Sequence, residues 1–193
     1  MIKIAICGKA NSGKNTVSKL ITKEIRYRQG WRSVAYIAFA DPIKEMVNIM
    51  FPGIPRKHLY SSSKYRSEPI PGAFKDGQPL TVRQALMDLG TGVGRKYKES
   101  VWLDAFDARF KAKSYANIII VPDLRFQNEF NHLKSKEFFL IKLHRNGSSQ
   151  INHASETAQD QMLDSHFDYV VSNNGTLQDL KVEVVNVVNK LNI

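Results

Sequence analysis

IKIAICGKANSGKNTVSKLI, residues 2–21, decides how the rest of the chain is read. An apolar run, Ile2–Ile6, leads into Gly8; four mixed residues follow, then Gly13-Lys14-Asn15-Thr16 and an amphipathic stretch. The short apolar run has the form of a buried strand and the stretch after the lysine that of a helix, so the glycines fall in the turn between them. Such a turn aims successive backbone N–H groups at an anion from the positive end of a helix dipole, and glycine lets the chain curl close to it. Lys14 adds a charge able to reach the β- and γ-phosphates of a nucleotide. The pattern departs from G-x-x-x-x-G-K-[ST] in one respect: Asn15 stands where the hydroxyl belongs, and Thr16 comes one place late. In switch GTPases and motor ATPases that hydroxyl ligates Mg²⁺. Its displacement favours a phosphotransferase over a switch. Gly8, Asn11, Ser12, Gly13, Lys14, Asn15 and Thr16 are therefore expected to bind the phosphates of a nucleotide, with Thr16 reaching a phosphate or the metal.

Outward from this loop the pattern alternates. Apolar runs at Ile2–Ile6, Val34–Phe39, Ile118–Val121, Phe138–Leu143 and Tyr169–Val171 predict strands. Helical patterns lie between them, at about 14–29, 41–51, 81–97, 100–113, 126–135, 155–163 and 176–191. Asp41-Pro42 has the form of an N-cap followed by Pro at the first helical position, and Thr81 is placed to cap the helix that starts at Val82. Continuous apolar strands separated by helices imply a parallel sheet covered on both faces. The expectation is one α/β domain, residues 1–193, with about five parallel strands. Residues 52–80 break the rhythm: they hold five of the seven prolines and read as a long loop, a flap. HRNGSSQINHASE, 144–156, has the composition of a lid.

Mg²⁺ or its water shell also needs a carboxylate at the end of a neighbouring strand. NIIIVPDLRFQNE, 117–129, offers Asp123 directly after an apolar run and Pro122, with Arg125 two residues on. The competing reading of Asp123 is a cap for the next helix. Neither D-x-x-G nor N-K-x-D follows, which argues against a GTPase.

The bulk numbers are compatible. The 193 residues suffice for a sizeable core, and no apolar run approaches the roughly 20 residues of a membrane span. The run before Gly8 is too soon interrupted for a secretion signal. The single cysteine, Cys7, excludes an internal disulfide, suits a reducing cytoplasm and reads as a small apolar filler at a strand end. A cytoplasmic location and no membrane are expected. The net charge of +10, from 28 basic and 18 acidic residues, favours anionic partners.

Taken together, GKANSGKNT, FADPIKEMV, VRQALMDLGT with Trp102 beyond it, VPDLRFQNE, HRNGSSQINHASE and FDYVVSNNGTLQDL resemble, in the same order, the deoxynucleoside monophosphate kinases of tailed bacteriophages. Residues 52–80 align loosely, and the chain is compact for that family. The resemblance implies a P-loop kinase fold, ATP and Mg²⁺ as cofactors, and γ-phosphoryl transfer to a deoxynucleoside monophosphate in the cytoplasm of a host. It implies that Asp41, Lys44, Arg66, Arg83 and Gln84 contact the acceptor, and that Arg125 bridges the phosphates. Arg145, His153 and Glu156 would belong to the lid and acceptor pocket, Arg145 with a catalytic role. Asn174 and Gly175, in SNNGT, would pass near the adenine. A homodimer is compatible with it, and no stable nucleic-acid binding is expected. Two other readings stay open: a kinase of another small acceptor such as a coenzyme precursor, and a nucleic-acid-binding P-loop ATPase. The ATPase would need a water-activating residue, for which Glu129 is a candidate, and a stacking platform that is not evident.

Overall fold

Ile2–Cys7 forms the central strand of a five-stranded sheet, and every neighbouring pair in that sheet is parallel. The computed structural model describes residues 1–60, 63–147 and 154–193, without the side chains of Ser63 and 154–156. In chain order the elements begin with β1 (Ile2–Cys7), α1 (Lys14–Gln29), β2 (Val34–Tyr36), α2 (Asp41–Met50), α3 (Arg56–Tyr60), β3 (Pro69–Lys75), β4 (Gln78–Thr81) and α4 (Val82–Met87). They continue with α5 (Arg95–Tyr97), α6 (Val101–Ala112), β5 (Ile118–Leu124), α7 (Gln127–Ser135), β6 (Phe139–His144), α8 (Ala154–Asp160), β7 (Tyr169–Ser172) and α9 (Leu177–Lys190). Two compact units result, Met1–Ala38 with Ala108–Ile193 and Phe39–Asp107; the second boundary falls inside α6.

The first unit carries the parallel sheet, in the order β2-β5-β1-β6-β7. Alternate residues of its strands, Ile4, Ile6, Ile118, Ile120, Ile141 and Leu143, pack with Val17, Ile21 and Ile25 of α1 and with Leu180, Val184, Val187 and Val188 of α9. The residues between them, Ala5, Ile119 and Val121, are fully buried as well. Burial on both faces is why these strands read as unbroken apolar runs rather than alternating ones. From β1 the chain leaves toward β2 at one edge; from β5 and β6 it leaves toward the other. Ligands of open α/β sheets bind at the carboxyl ends of strands where the order reverses in this way. β5 runs longer than expected, through Pro122 and Asp123 to Leu124, and its pairing with β1 slips between Ala5↔Val121 and Cys7↔Leu124. A proline has no N–H for the ladder, and a bulge is where a strand tolerates one.

The second unit has its own core of Val47, Ile54, Leu59, Ile70, Val82 and Ala85. Three of these six lie in residues 52–80, which are not the irregular loop expected from the prolines. They fold as α3, a 3-10 turn at Ser63–Ser67 and the antiparallel hairpin β3–β4. The hairpin turns at Asp76-Gly77, both with positive φ (51° and 75°), the backbone of a two-residue type I′ connection. The helix expected at 81–97 is broken into α4, a π-helical stretch at Asp88–Gly94 and α5. Trp102 accounts for part of this: its indole N–H donates to the Gly90 carbonyl at 2.8 Å, and a Cβ on Gly94 would stand 2.3 Å from its ring. Thr81 caps α4 as expected, with the Gln84 carboxamide closing a capping box. Asp41 is not the cap of α2: Ala40 holds that position, and Asp41 and Pro42 are the first two helical residues.

Candidate functional site

The turn from β1 into α1 is built as a cradle. A Cβ on Gly8 would lie 2.8 Å from Ser12 Oγ and 2.9 Å from the Leu143 carbonyl, so only glycine allows the loop to close over β6. Asn11 (φ 63°) and Gly13 (φ 101°) take left-handed backbone, and Ser12 N–H donates to the Lys9 carbonyl at 3.2 Å. Lys14 folds back across the loop, its ammonium donating to the Gly8 carbonyl and, at 2.7 Å, to that of Lys9. The first turn of α1 holds no acidic residue, which leaves its positive end uncompensated. Asn15 and Thr16 are exposed on that turn. Ser12 Oγ is buried without a hydrogen-bond partner among the described residues. Glycine-permitted curvature, a folded-back lysine and an open helix end suit a phosphate chain.

The neighbouring strand ends complete the surroundings. The slipped register sets Asp123 in β5 one residue before Leu124, the partner of Cys7, and Cys7 directly precedes Gly8. Asp123 does not cap α7, whose N-cap is Phe126; Glu129 instead accepts from the backbone N–H groups of Arg125 (2.9 Å) and Phe126 (3.1 Å). That buried carboxylate is thereby committed to capping and is withdrawn as a water activator. On the β6 side a cleft of about 340 Å³ is lined by Gly8, Lys9, Lys142, His144, Arg145 and Gln159, among others. Lys9 pairs with Asp160 at 2.8 Å. Asp164 receives both Lys142 (2.8 Å) and His144 (2.9 Å). The hydrogen bond from Lys142, more than that from His144, holds its carboxyl below the usual range. Cys7 is the filler expected: burial pushes its thiol up to about 12, with lysine charges only partly opposing, and Sγ lies 3.8 Å from Gln159 Oε1.

The loop after β7 closes on the same cradle. Asn173 donates through Nδ2 to the Ser12 carbonyl at 2.8 Å, and Asn174 accepts the Asn146 N–H at 2.7 Å. Arg145 donates to the Asn11 carbonyl at 3.4 Å. Gly175 has a local reason: a Cβ there would meet the Asp179 carboxylate at 2.5 Å, the group that accepts from Thr176 in the cap of α9. Lys142, Asp160 and Asp164 belong to no local motif of the sequence, whereas Lys9, His144 and Asn173 lie inside motifs whose other members were the expected site residues.

The remaining candidates belong to the second unit. Asp41 and Lys44 form an ion pair at 2.9 Å one helical turn apart, and the Lys44 ammonium stands 4.9 Å over the Tyr60 ring. Arg83 and Gln84 are on α4, where the Gln84 Oε1 accepts from Thr81; Arg66 lies in the 3-10 turn before the hairpin. His153 falls outside the described residues, as does the side chain of Glu156. Among the described residues no three His, Cys, Asp or Glu side chains gather as a metal cage. A magnesium ion carried on phosphates needs only one or two protein carboxylates.

A parallel sheet in this strand order, with a glycine-lysine loop after its central strand and an aspartate on the strand alongside, defines the architecture of the P-loop kinases. The family model of deoxynucleotide monophosphate kinases matches residues 60–184, and the chain belongs to that family. It is 24% identical over 200 residues to a protein of Acanthamoeba polyphaga mimivirus named "Putative deoxynucleotide monophosphate kinase", covering 97% of this chain and 96% of that one. The likeness is therefore not restricted to bacteriophages. Among solved structures, the APS kinase of Mycobacterium tuberculosis is similar with a TM-score of 0.43 and 11% identity, over 100% of this chain and 98% of that one. The dephospho-CoA kinase of Campylobacter jejuni is similar with a TM-score of 0.39 and 12% identity, over 97% and 96%.

Proposed function

We propose that the protein transfers the γ-phosphoryl group of ATP to a deoxynucleoside 5′-monophosphate. The observation that carries the transfer is the cradle itself: Gly8 and Gly13 open the loop, and Lys14 holds its charge over the Gly8 and Lys9 carbonyls. Family membership supports the choice of acceptor. Phosphoryl transfer asks for alignment and for positive charge around a loose, charge-rich transition state. Lys14 and the loop N–H groups would hold the donor phosphates, with Thr16 beside them. Asp123 would orient the metal or its water shell; Mg²⁺ brought with the nucleotide supplies neutralisation of the developing charge. Arg125 and Arg145 would meet the transferring group, for which a planar guanidinium fork is suited. Lys44, Arg66 and Arg83 would serve the acceptor, a role that rests on the resemblance of their segments.

The second reading, a kinase of another small acceptor, shares the whole donor side, and nothing in the cradle selects the acceptor. One experiment separates the two: coupled ADP release with ATP and Mg²⁺ across the deoxy- and ribonucleoside monophosphates, adenylylsulfate and dephospho-coenzyme A. Turnover with deoxynucleoside monophosphates above their ribose counterparts is expected. Activity confined to a non-nucleoside-monophosphate acceptor overturns the substrate class and leaves the transfer standing. Arg83→Ala should chiefly raise the acceptor KM, whereas Arg125→Ala should lower kcat as well.

A further inference from the structure

We propose that Asn173, on the loop after β7, is a positioning residue of the phosphate cradle: its side-chain amide sets the direction of the Gly13 N–H. The Ser12 carbonyl and the Gly13 N–H belong to one planar trans peptide, so they point in opposite directions. Anchoring the carbonyl on one side therefore aims the N–H to the other. Asn173 supplies that anchor through Nδ2 at 2.8 Å. The anchor matters because of the residue that follows. Gly13 sits at φ 101°, and glycine takes positive and negative φ about equally well, so an unrestrained Ser12–Gly13 peptide can flip at little cost. The packing is close: a Cβ on Gly13 would stand 2.6 Å from the same amide nitrogen.

Asn173 is itself held. Its backbone N–H donates to the His144 carbonyl at the end of β6 at 2.8 Å. The adjacent Asn174 accepts the Asn146 N–H at 2.7 Å and donates to Ser172 Oγ at 3.0 Å. Arg145 returns to the Asn11 carbonyl. Segments 11–13, 144–146 and 172–174 thus form a closed ring of hydrogen bonds around one side of the cradle. The loop after β7 acts on the phosphate chain through the backbone it braces, in addition to any contact its neighbours make with a base.

The inference rests on the cradle binding a phosphate chain, and its test keeps the two apart. Binding of inorganic tripolyphosphate, ATP and adenosine is measured calorimetrically for the wild-type chain, Asn173→Ala and the near-isosteric Asn173→Asp, alongside thermal denaturation. Wild type should bind tripolyphosphate; if it does not, the phosphate-cradle reading fails first. Asn173→Ala should weaken tripolyphosphate and ATP about tenfold, the scale of one lost hydrogen bond, with adenosine unchanged. Asn173→Asp should weaken them further, since it loses the donor and adds a negative charge. Undiminished tripolyphosphate binding in both variants overturns the proposal, and weaker adenosine with it would assign Asn173 to a nucleoside pocket. A uniform loss for all three ligands that tracks a lowered melting temperature also overturns it, by reducing Asn173 to general stability.

Discussion

At Lys14 two demands meet. Its ammonium satisfies two loop carbonyls, and the proposed function needs the same charge for the phosphates of the donor. Lys14→Ala should leave the fold in place, because the residue is only half-buried and its partners can turn to water. Activity should fall by roughly 10²–10³, the scale for losing one preorganised electrostatic contact to a transferring group. Near-normal turnover in a folded variant would remove the cradle from the chemistry. Cys7 lies directly before the loop and should behave as inert packing. With the thiol pushed to about 12 by burial, against an ordinary 9.0, native protein should resist alkylation at mildly alkaline pH and react fully once denatured. The sign for stability follows. Between pH 9.0 and about 12 the unfolded thiol loses its proton while the folded one keeps it, so stability declines as pH rises through that window. Cys7→Ala should lack this part of the alkaline decline in a pH series of melting temperatures.

Among the elements, α4 shows most clearly how local chemistry was legible. Thr81 three residues before Gln84 is a capping-box spacing, and both halves of the box form. Thr81→Ala should cost about 1 kcal/mol in urea unfolding, with the Gln84 N–H left without its acceptor. Further along, the same helix defeats sequence reading. Gly94 leaves room for the ring of Trp102, which comes from α6, and Gly90 for the Ile43 side chain while its carbonyl accepts the indole N–H, contacts that no local pattern announces. The 52–80 stretch failed for a related reason. Its prolines and serines suggested a loop, while Asp76-Gly77 between two short runs carried the hairpin signal. Ile54, Leu59 and Ile70, spread thinly among them, supply half of that unit's core.

For the whole molecule, stability and charge make separate predictions. Ile120 lies in β5 between β1 and β2 and has no exposed surface. Ile120→Ala should destabilise by about 2–5 kcal/mol, the range for emptying a packed site in a core that cannot collapse. The formal charge of +10 should make ATP binding weaken as salt is raised from low to physiological levels, where the Debye length shortens to about 8 Å. A salt-independent affinity would mean that only the cations inside the cradle contribute.

The sequence by itself determined the parallel α/β sheet, the cradle between β1 and α1, and the place of Asp123 at a strand end. Each is written locally, in unbroken apolar runs, glycine spacing and one proline. Only the tertiary structure decided that Asn173 braces Ser12, 161 positions away, and that Asp164 gathers Lys142 and His144. Periodicity records which faces are buried and not against what, so contacts between polar groups far apart in the chain leave no pattern until the strand order brings them together.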